Sequence, residues 1–187
     1  MGKSTTAAMF SDLGIPVWDA DAAVHRIYGA NGPGGPALSG LLPDAVRPDG
    51  SVSREALKAA ISENPDVLNE LEQRIHPLVA QDRAEFLSEH ATDEIVVLDI
   101  PLLFETNGAA LVDKVAVVST STDEQRRRVL ARPGMDDATF QRLLARQTPD
   151  AEKRARADYI ICTDDLATAQ RDVEDLVRTI RTEAHHA

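Results

Sequence analysis

Cysteine is almost missing from this sequence: Cys162 stands alone in 187 residues, so no disulfide can form within the chain. Its place inside the apolar run YIIC marks it as a small buried hydrophobe rather than a nucleophile. Aromatic residues make up only 4%, which leaves packing to aliphatic side chains. No apolar run approaches the roughly 20 residues needed to span a bilayer, and the start shows no basic region followed by an apolar stretch and a cleavage site. A cytoplasmic location with no membrane partner is therefore expected. Positive charge is also short, with 20 Lys and Arg against 31 Asp and Glu and a net charge of -11. Affinity for a phosphate backbone comes largely from basic contacts, so a general nucleic-acid partner is not expected. There is no internal repeat and no low-complexity tract.

What remains is an ordinary globular composition, 43% hydrophobic and long enough for one well-cored domain with a helical insertion. Short β-branched runs at 15–18, 95–98, 115–118 and 159–162 read as buried strands. Helical periodicity separates them; Leu166, Ala169, Val173, Leu176, Val177 and Ile180 fall on one face. Strands alternating with helices predict a parallel sheet covered on both faces. Residues 29–92 depart from this pattern. They open on GANGPGGP, read as a turn-rich linker, and continue as helices without a strand signal, with Ser53 and Asn64-Pro65 as helix starts. A second departure, 131–156, reads as a helical hairpin punctuated by Pro133-Gly134 and Pro149, with Asp136 or Asp137 as a cap. From Arg126 to Arg156 there are nine Lys and Arg against four Asp and Glu, which suggests either a local anion site or a solvated, ion-paired helix face.

Candidate chemistry starts at the first helix. Gly2, Lys3, Ser4 and Thr5 match the end of a phosphate-binding loop, GxxxxGK[ST], in which backbone N–H groups point at phosphates, the lysine contacts the outer phosphates and the hydroxyl ligates magnesium. The strand IPVW leads into DAD, placing Asp19 and Asp21 at a strand's carboxyl end, where open α/β sheets bind ligands. Two such carboxylates suit a hydroxyl and a magnesium ion; equally, one of them suits the cap of the helix that follows. IVVLD repeats the pattern, with Asp99 as a magnesium-holding carboxylate, and runs into a turn containing Pro101, Leu102, Leu103 and Glu105.

In this order and at these intervals, GKSTTA, GIPVWDAD, RIHPLV, DIPLLFE, VVSTSTDEQRRRVLAR and RQTPDAEKRARADYII resemble the dephospho-CoA kinase family, from Met1 to about Arg181. The resemblance implies a P-loop NTPase-like parallel sheet flanked by helices, with a helical substrate-binding insertion and a small helical lid. The core would be 1–28, 93–130 and 157–187, the CoA-substrate insertion 29–92 and the lid 131–156. It implies transfer of the ATP γ-phosphoryl to the ribose 3′-hydroxyl of dephospho-CoA, with Mg2+. Asp21 matches the residue that positions and deprotonates that hydroxyl, and Gly2, Lys3, Ser4 and Thr5 the phosphate site, with Ser4 and Asp99 toward the metal. Arg132 and Arg146 would meet the transferring group. His76, Pro101, Leu102 and Glu105 match substrate-side positions, with a hydrogen-bonded helix-junction histidine as the other reading of His76 and the orienting of basic partners as the other reading of Glu105. Arg128 is open between phosphate contact and packing.

Two departures from the family pattern stand out. A strand running into I-D-N-x-G is usual near the C-terminus, whereas here Ile161 is followed by Cys162, Thr163, Asp164 and Asp165. The family also begins about a dozen residues earlier, with an apolar strand and the Gly-rich part of the loop, so Met1 is expected to be an internal methionine of a longer natural chain. The alternatives carried forward are a nucleoside or nucleotide kinase, and a truncated, non-catalytic nucleotide- or CoA-binding fragment.

Overall fold

The computed structural model describes residues 2–145 and 147–184. In chain order the elements are α1 (Lys3–Asp12), β1 (Val17–Asp19), α2 (Ala20–Ile27), α3 (Gly34–Leu38), α4 (Arg54–Glu63), α5 (Val67–Glu89), β2 (Val97–Asp99), β3 (Ala116–Ser119), α6 (Thr122–Leu130), α7 (Asp137–Leu144), α8 (Asp150–Ala155), β4 (Tyr159–Cys162) and α9 (Leu166–Ala184). They fall into two compact units, one made of Met1–Val17 with Glu94–Ala187 and the other of Trp18–Asp93. Among the described residues no helix is long and apolar enough to cross a membrane.

The first unit is α/β. Its strands hydrogen-bond as two pairs, β2 with the start of β1, where Val97 N donates to Pro16 O, and β3 with β4. The second pair is parallel, with Ala116 opposite Tyr159 and Ser119 opposite Cys162. One core ties the pairs together: Met9, Phe10 and Ile15 pack with Ile161 of β4 and with Ala169, Val173, Leu176 and Val177 of α9, while Val17, Ile95 and Val97 flank them. Each fully buried aliphatic side chain contributes about 1.5–3 kcal/mol, so α9 is held by its apolar stripe rather than by helix propensity. Leu166, read as part of that stripe, is 69% exposed because it is the first residue of the helix and projects before the stripe begins.

The end of α1 explains why β1 starts later than the sequence pattern indicated. Gly14 takes φ +75° and its N–H donates to Ser11 O, while the Ile15 N–H donates to Phe10 O. That is a Schellman stop, completed by the apolar contact of Ile15 with Phe10. With its N–H spent on the helix, Ile15 belongs to the stop, and strand geometry begins at Val17. Other boundaries follow side-chain caps: Ser53 accepts from Ala56 N, Ser121 from Glu124 N and Asp136 from Thr139 N. Asn64 ends α4 rather than starting α5, whose N-cap is Asp66.

The second unit is helical. Ile27, Leu38, Ala45, Val52, Leu57, Leu71 and Ile75 form its core. The GANGPGGP segment is not a linker: its last three residues begin α3, with Gly34 and Gly35 buried, and the same helix ends on the fully buried Leu38. Its glycines permit close packing, since a Cβ on Gly35 would lie 2.2 Å from the Gly50 carbonyl oxygen. An antiparallel bridge between Val46 and Val52, closed by a turn with Gly50 at φ +79°, interrupts what the sequence pattern read as uninterrupted helix. The segment RPDG is the signal that marks it, proline and glycine supplying the turn dihedrals.

Candidate active site

In the first unit α1 begins without a side-chain cap. Gly2 sits at its N-cap with φ +87°, and the first intrahelical bond runs from Thr6 N to Gly2 O. The amides of the first turn therefore have no helical acceptor and carry the positive end of the helix dipole. Ser4 and Thr5 are exposed at this end. Lys3 extends from the same turn to Asp99, at the end of β2, with Nζ to Oδ1 at 2.5 Å. Asp99 is 6% exposed, and its other oxygen, Oδ2, is buried with no hydrogen-bond partner among the described residues. A buried carboxylate oxygen left unmatched is costly, and such an oxygen is suited to a cation.

The donor set fits a magnesium ion of the kind held mainly by phosphates. Asp99 Oδ2 and the exposed Ser4 hydroxyl are hard oxygen ligands. Among the described residues no group of three or more His, Cys, Asp or Glu could hold a metal by itself. A divalent ion here would draw its remaining ligands from phosphate oxygens and water, as magnesium at nucleotide sites does.

The Thr163–Asp165 turn, where the sequence departs from the family pattern, is tightly fixed. Thr163 donates through N and Oγ1 to Ser119 O, at 2.8 and 3.1 Å. Asp164 accepts from Thr120 Oγ1 and Ser121 N, and these contacts hold its carboxyl below the usual range. Thr163 also backs the start of α1: a Cβ on Gly2 would meet its Cβ at 3.3 Å. Arg128 serves this turn, donating from Nη2 to Thr163 O at 2.7 Å and from Nε to Glu124 at 2.5 Å. Of its two readings, the structure supports packing and tethering. Glu124, hydrogen-bonded by Arg127 and then by Arg128, is pulled down to about 2.

After β2, the PLLFE turn places Pro101 half-buried and Leu102 at φ +56° and 45% exposed. Glu105 turns inward. Its Oε1 accepts from Thr148 N at 2.7 Å and pairs with Lys153 Nζ at 3.1 Å. Burial alone would raise its pKa, but the backbone amides of Thr148 and Glu105 together with Lys153 outweigh that and lower it. Nearby, Ser119 Oγ donates to Asp150 Oδ2 at 2.8 Å, and the Arg156 guanidinium lies 4.4 Å from the Phe104 ring centroid. The sequence reading assigned no role to Asp150 or Lys153. Their partners lie 31 and 48 positions away, so no local spacing reveals them. Arg132 is exposed, and its side chain has no hydrogen-bond or ion-pair partner among the described residues. Arg146 lies outside the described residues.

In the second unit Asp19 is the N-cap of α2, its Oδ1 accepting from Asp21 N at 2.7 Å and Ala22 N at 3.0 Å. That leaves Asp21, in the first turn, exposed, its carboxylate without a partner among the described residues. Of the two carboxylates of DAD, one is structural and the other is available. His76 lies within α5, not at a helix junction, and is exposed with no side-chain hydrogen bond among the described residues. The junction reading is therefore not supported.

A Gly-Lys-Ser-Thr helix start, its lysine on a strand-end carboxylate and parallel strands behind it, defines an α/β fold of the P-loop class. The dephospho-CoA kinase family model matches residues 1–168, and the chain belongs to that family. It is 54% identical over 177 residues to a dephospho-CoA kinase from Jannaschia sp. (strain CCS1), covering 95% of this chain and 90% of the relative. A dephospho-CoA kinase from Ruegeria pomeroyi is 51% identical over 187 residues, covering 100% and 94%. Among solved structures, TT1252 from Thermus thermophilus superposes with a TM-score of 0.74 at 33% identity, covering 97% of this chain and 91% of that one.

Proposed function

We propose that the protein transfers the γ-phosphoryl group of ATP to the ribose 3′-hydroxyl of dephospho-CoA, yielding CoA and ADP, the last step of coenzyme A synthesis. The observation that carries this reading is the Lys3–Asp99 pair, with its unmatched Asp99 oxygen beside the uncapped start of α1, in a chain whose relatives are named dephospho-CoA kinases. The exposed amides of the first turn and the Lys3 ammonium bind phosphate oxygens. Ser4 and Asp99 are the residues that would hold magnesium. When bound, that ion offsets negative charge on the phosphates.

Asp21 takes the proton from the 3′-hydroxyl as its oxygen attacks the γ-phosphorus and the bond to the β-phosphate oxygen breaks. A carboxylate with no internal partner is suited to that task, because no salt bridge has to be broken first. Arg132 and Arg146 bear on the transferring group, whose charge is spread over three oxygens that guanidinium forks match. His76, Leu102 and Pro101 contribute to the acceptor side, and Glu105 holds the 148–153 segment through Thr148 and Lys153.

The test is a coupled ADP-release assay with ATP and dephospho-CoA, run beside adenosine, other nucleosides and nucleoside monophosphates as acceptors. Turnover with dephospho-CoA at least a hundredfold above the others in kcat/KM is expected, about 2.7 kcal/mol of discrimination. A nucleoside as the preferred acceptor refutes the assignment. Acceptor binding by calorimetry without turnover would instead indicate a binding fragment.

A further inference from the structure

The apolar stripe of α5 contains an acidic residue that the function described so far does not use. Leu71, Ile75 and Leu78 recur at helical spacing toward the core of the second unit, and Asp82 is next on that face. Its carboxylate is only 21% exposed and accepts three hydrogen bonds. Trp18 Nε1 donates to Oδ1 at 2.7 Å. Arg26 donates from Nη2 to Oδ1 at 2.5 Å and from Nε to Oδ2 at 3.0 Å. Trp18 immediately precedes Asp19, the cap of α2, and is 3% exposed; Arg26 is in the last turn of α2. One carboxylate thus holds both ends of a helix that spans about 12 Å at 1.5 Å per residue.

An isolated helix of 8 residues does not hold its own direction, since fewer than about 12 residues are marginal in water. Tertiary contacts must set where its first turn points. Ala23 and Ile27 bury its inner face, but apolar contact is non-directional and allows rotation and sliding, whereas a two-ended hydrogen-bonded tether does not. Asp21 lies between the two tethered ends. We propose that Asp82 is a positioning residue for phosphoryl transfer: by fixing both ends of α2 to one point of α5, it sets the direction in which Asp21 presents its carboxylate to the acceptor hydroxyl. This rests on the reading of Asp21 as the base.

The test compares Asp82→Leu, Asp82→Asn and Arg26→Gln, alone and with Asp21→Asn, each checked for folding by circular dichroism and for active-site content by binding of a non-hydrolysable ATP analogue. Asp82→Leu keeps the apolar stripe and removes the tether. Its kcat should fall about 10- to 100-fold, the effect of an ångström-scale misplacement, with ATP-analogue affinity unchanged. Asp82→Asn, with its amide oxygen at the Oδ1 position, keeps the Trp18 bond and the Arg26 Nη2 bond and should restore kcat to within about threefold of the parent. Arg26→Gln, a change at an exposed side chain, removes one end only and should give an intermediate loss; it decides the matter if Asp82→Leu does not fold. In the Asp21→Asn background none of the three should lower turnover further.

A purely structural role predicts lower thermal stability with kcat per active site unchanged, and that result overturns the proposal. So does an equal fold-loss in the parent and Asp21→Asn backgrounds, which leaves the base assignment standing. Full activity of Asp21→Asn removes the base assignment and this proposal with it.

Discussion

Replacing Asp99 by Asn separates what the buried pair does for function from what it does for stability. In the folded protein the Asp99 side chain is 5% exposed and Lys3 40% exposed, with Nζ on Oδ1 at 2.5 Å and Oδ2 unmatched. Asparagine keeps an oxygen for Lys3 and removes the net charge. The loss is that of an ion pair with one well-solvated partner, about 0–1 kcal/mol. The gain is relief from burying half of a charged group without a partner, about 1–3 kcal/mol, less the smaller cost of burying an unpaired amide. The balance falls between neutrality and a stabilisation of about 2 kcal/mol. At roughly 2–4 °C per kcal/mol for a chain of this size, Tm should stay level or rise by up to about 8 °C. Turnover should fall by at least about a hundredfold, because the amide is a far poorer magnesium ligand than the carboxylate. Differential scanning calorimetry and the ADP-release assay on the same preparation read both quantities. A variant less stable by more than about 1 kcal/mol would show that Asp99 serves the fold, and unchanged turnover would show that it does not serve the metal.

Three further outcomes follow from geometry already described. Arg132→Ala should leave Tm within about 2 °C, since an exposed side chain without partners among the described residues contributes under about 0.5 kcal/mol, yet lower kcat about a hundredfold or more if it meets the transferring phosphoryl; stopped-flow ADP release measures the loss. Gly35→Ala drives a methyl to 2.2 Å from the Gly50 carbonyl oxygen and should destabilise the protein by about 2 kcal/mol or more, read as a lower urea midpoint. Glu124 titrates near 2 when folded because Arg127 and Arg128 favour its ionised form. A depressed folded pKa gives stability that is present above the ordinary glutamate value and lost as pH falls from about 4.5 toward 2. Glu124→Gln should therefore flatten acid unfolding across that interval, as followed by circular dichroism.

Local patterns carried the strands and helix caps into view, because they depend on neighbours in sequence. YIIC is β4 at the expected residues, and Ser53 and Asp136 cap as their hydroxyl and carboxylate predict. GKS and the Asp that ends IVVLD each stand out by a spelling that phosphate chemistry requires, but the ion pair between Lys3 and Asp99 is not written in either segment. Long-range polar partnerships were not. Glu105 with Lys153, Ser119 with Asp150 and Asp82 with Trp18 join residues 31 to 64 positions apart, and no periodicity encodes such a distance. Burial by glycine contact also went unseen: GANGPGGP has the composition of a loop, yet the missing Cβ of Gly35 lets two backbones meet. DAD showed a third limit, that of deciding which of two acids is spent on the backbone; only the hydrogen bonds to Asp19 resolve it.

The Schellman stop at Gly14 and the bare start at Gly2 make α1 lopsided. Its apolar grip on the rest of the molecule lies at its C-terminal end, through Phe10 and Ile15, while the first turn has no side-chain cap and leaves its backbone donors without helical acceptors. The usual remedy of an aspartate cap is closed to position 2: at φ +87° a side chain is strained, and its Cβ would press on Thr163 at 3.3 Å. The bare turn is therefore kept bare by the backbone itself, and a cap would weaken the fold as well as compete for the same amides.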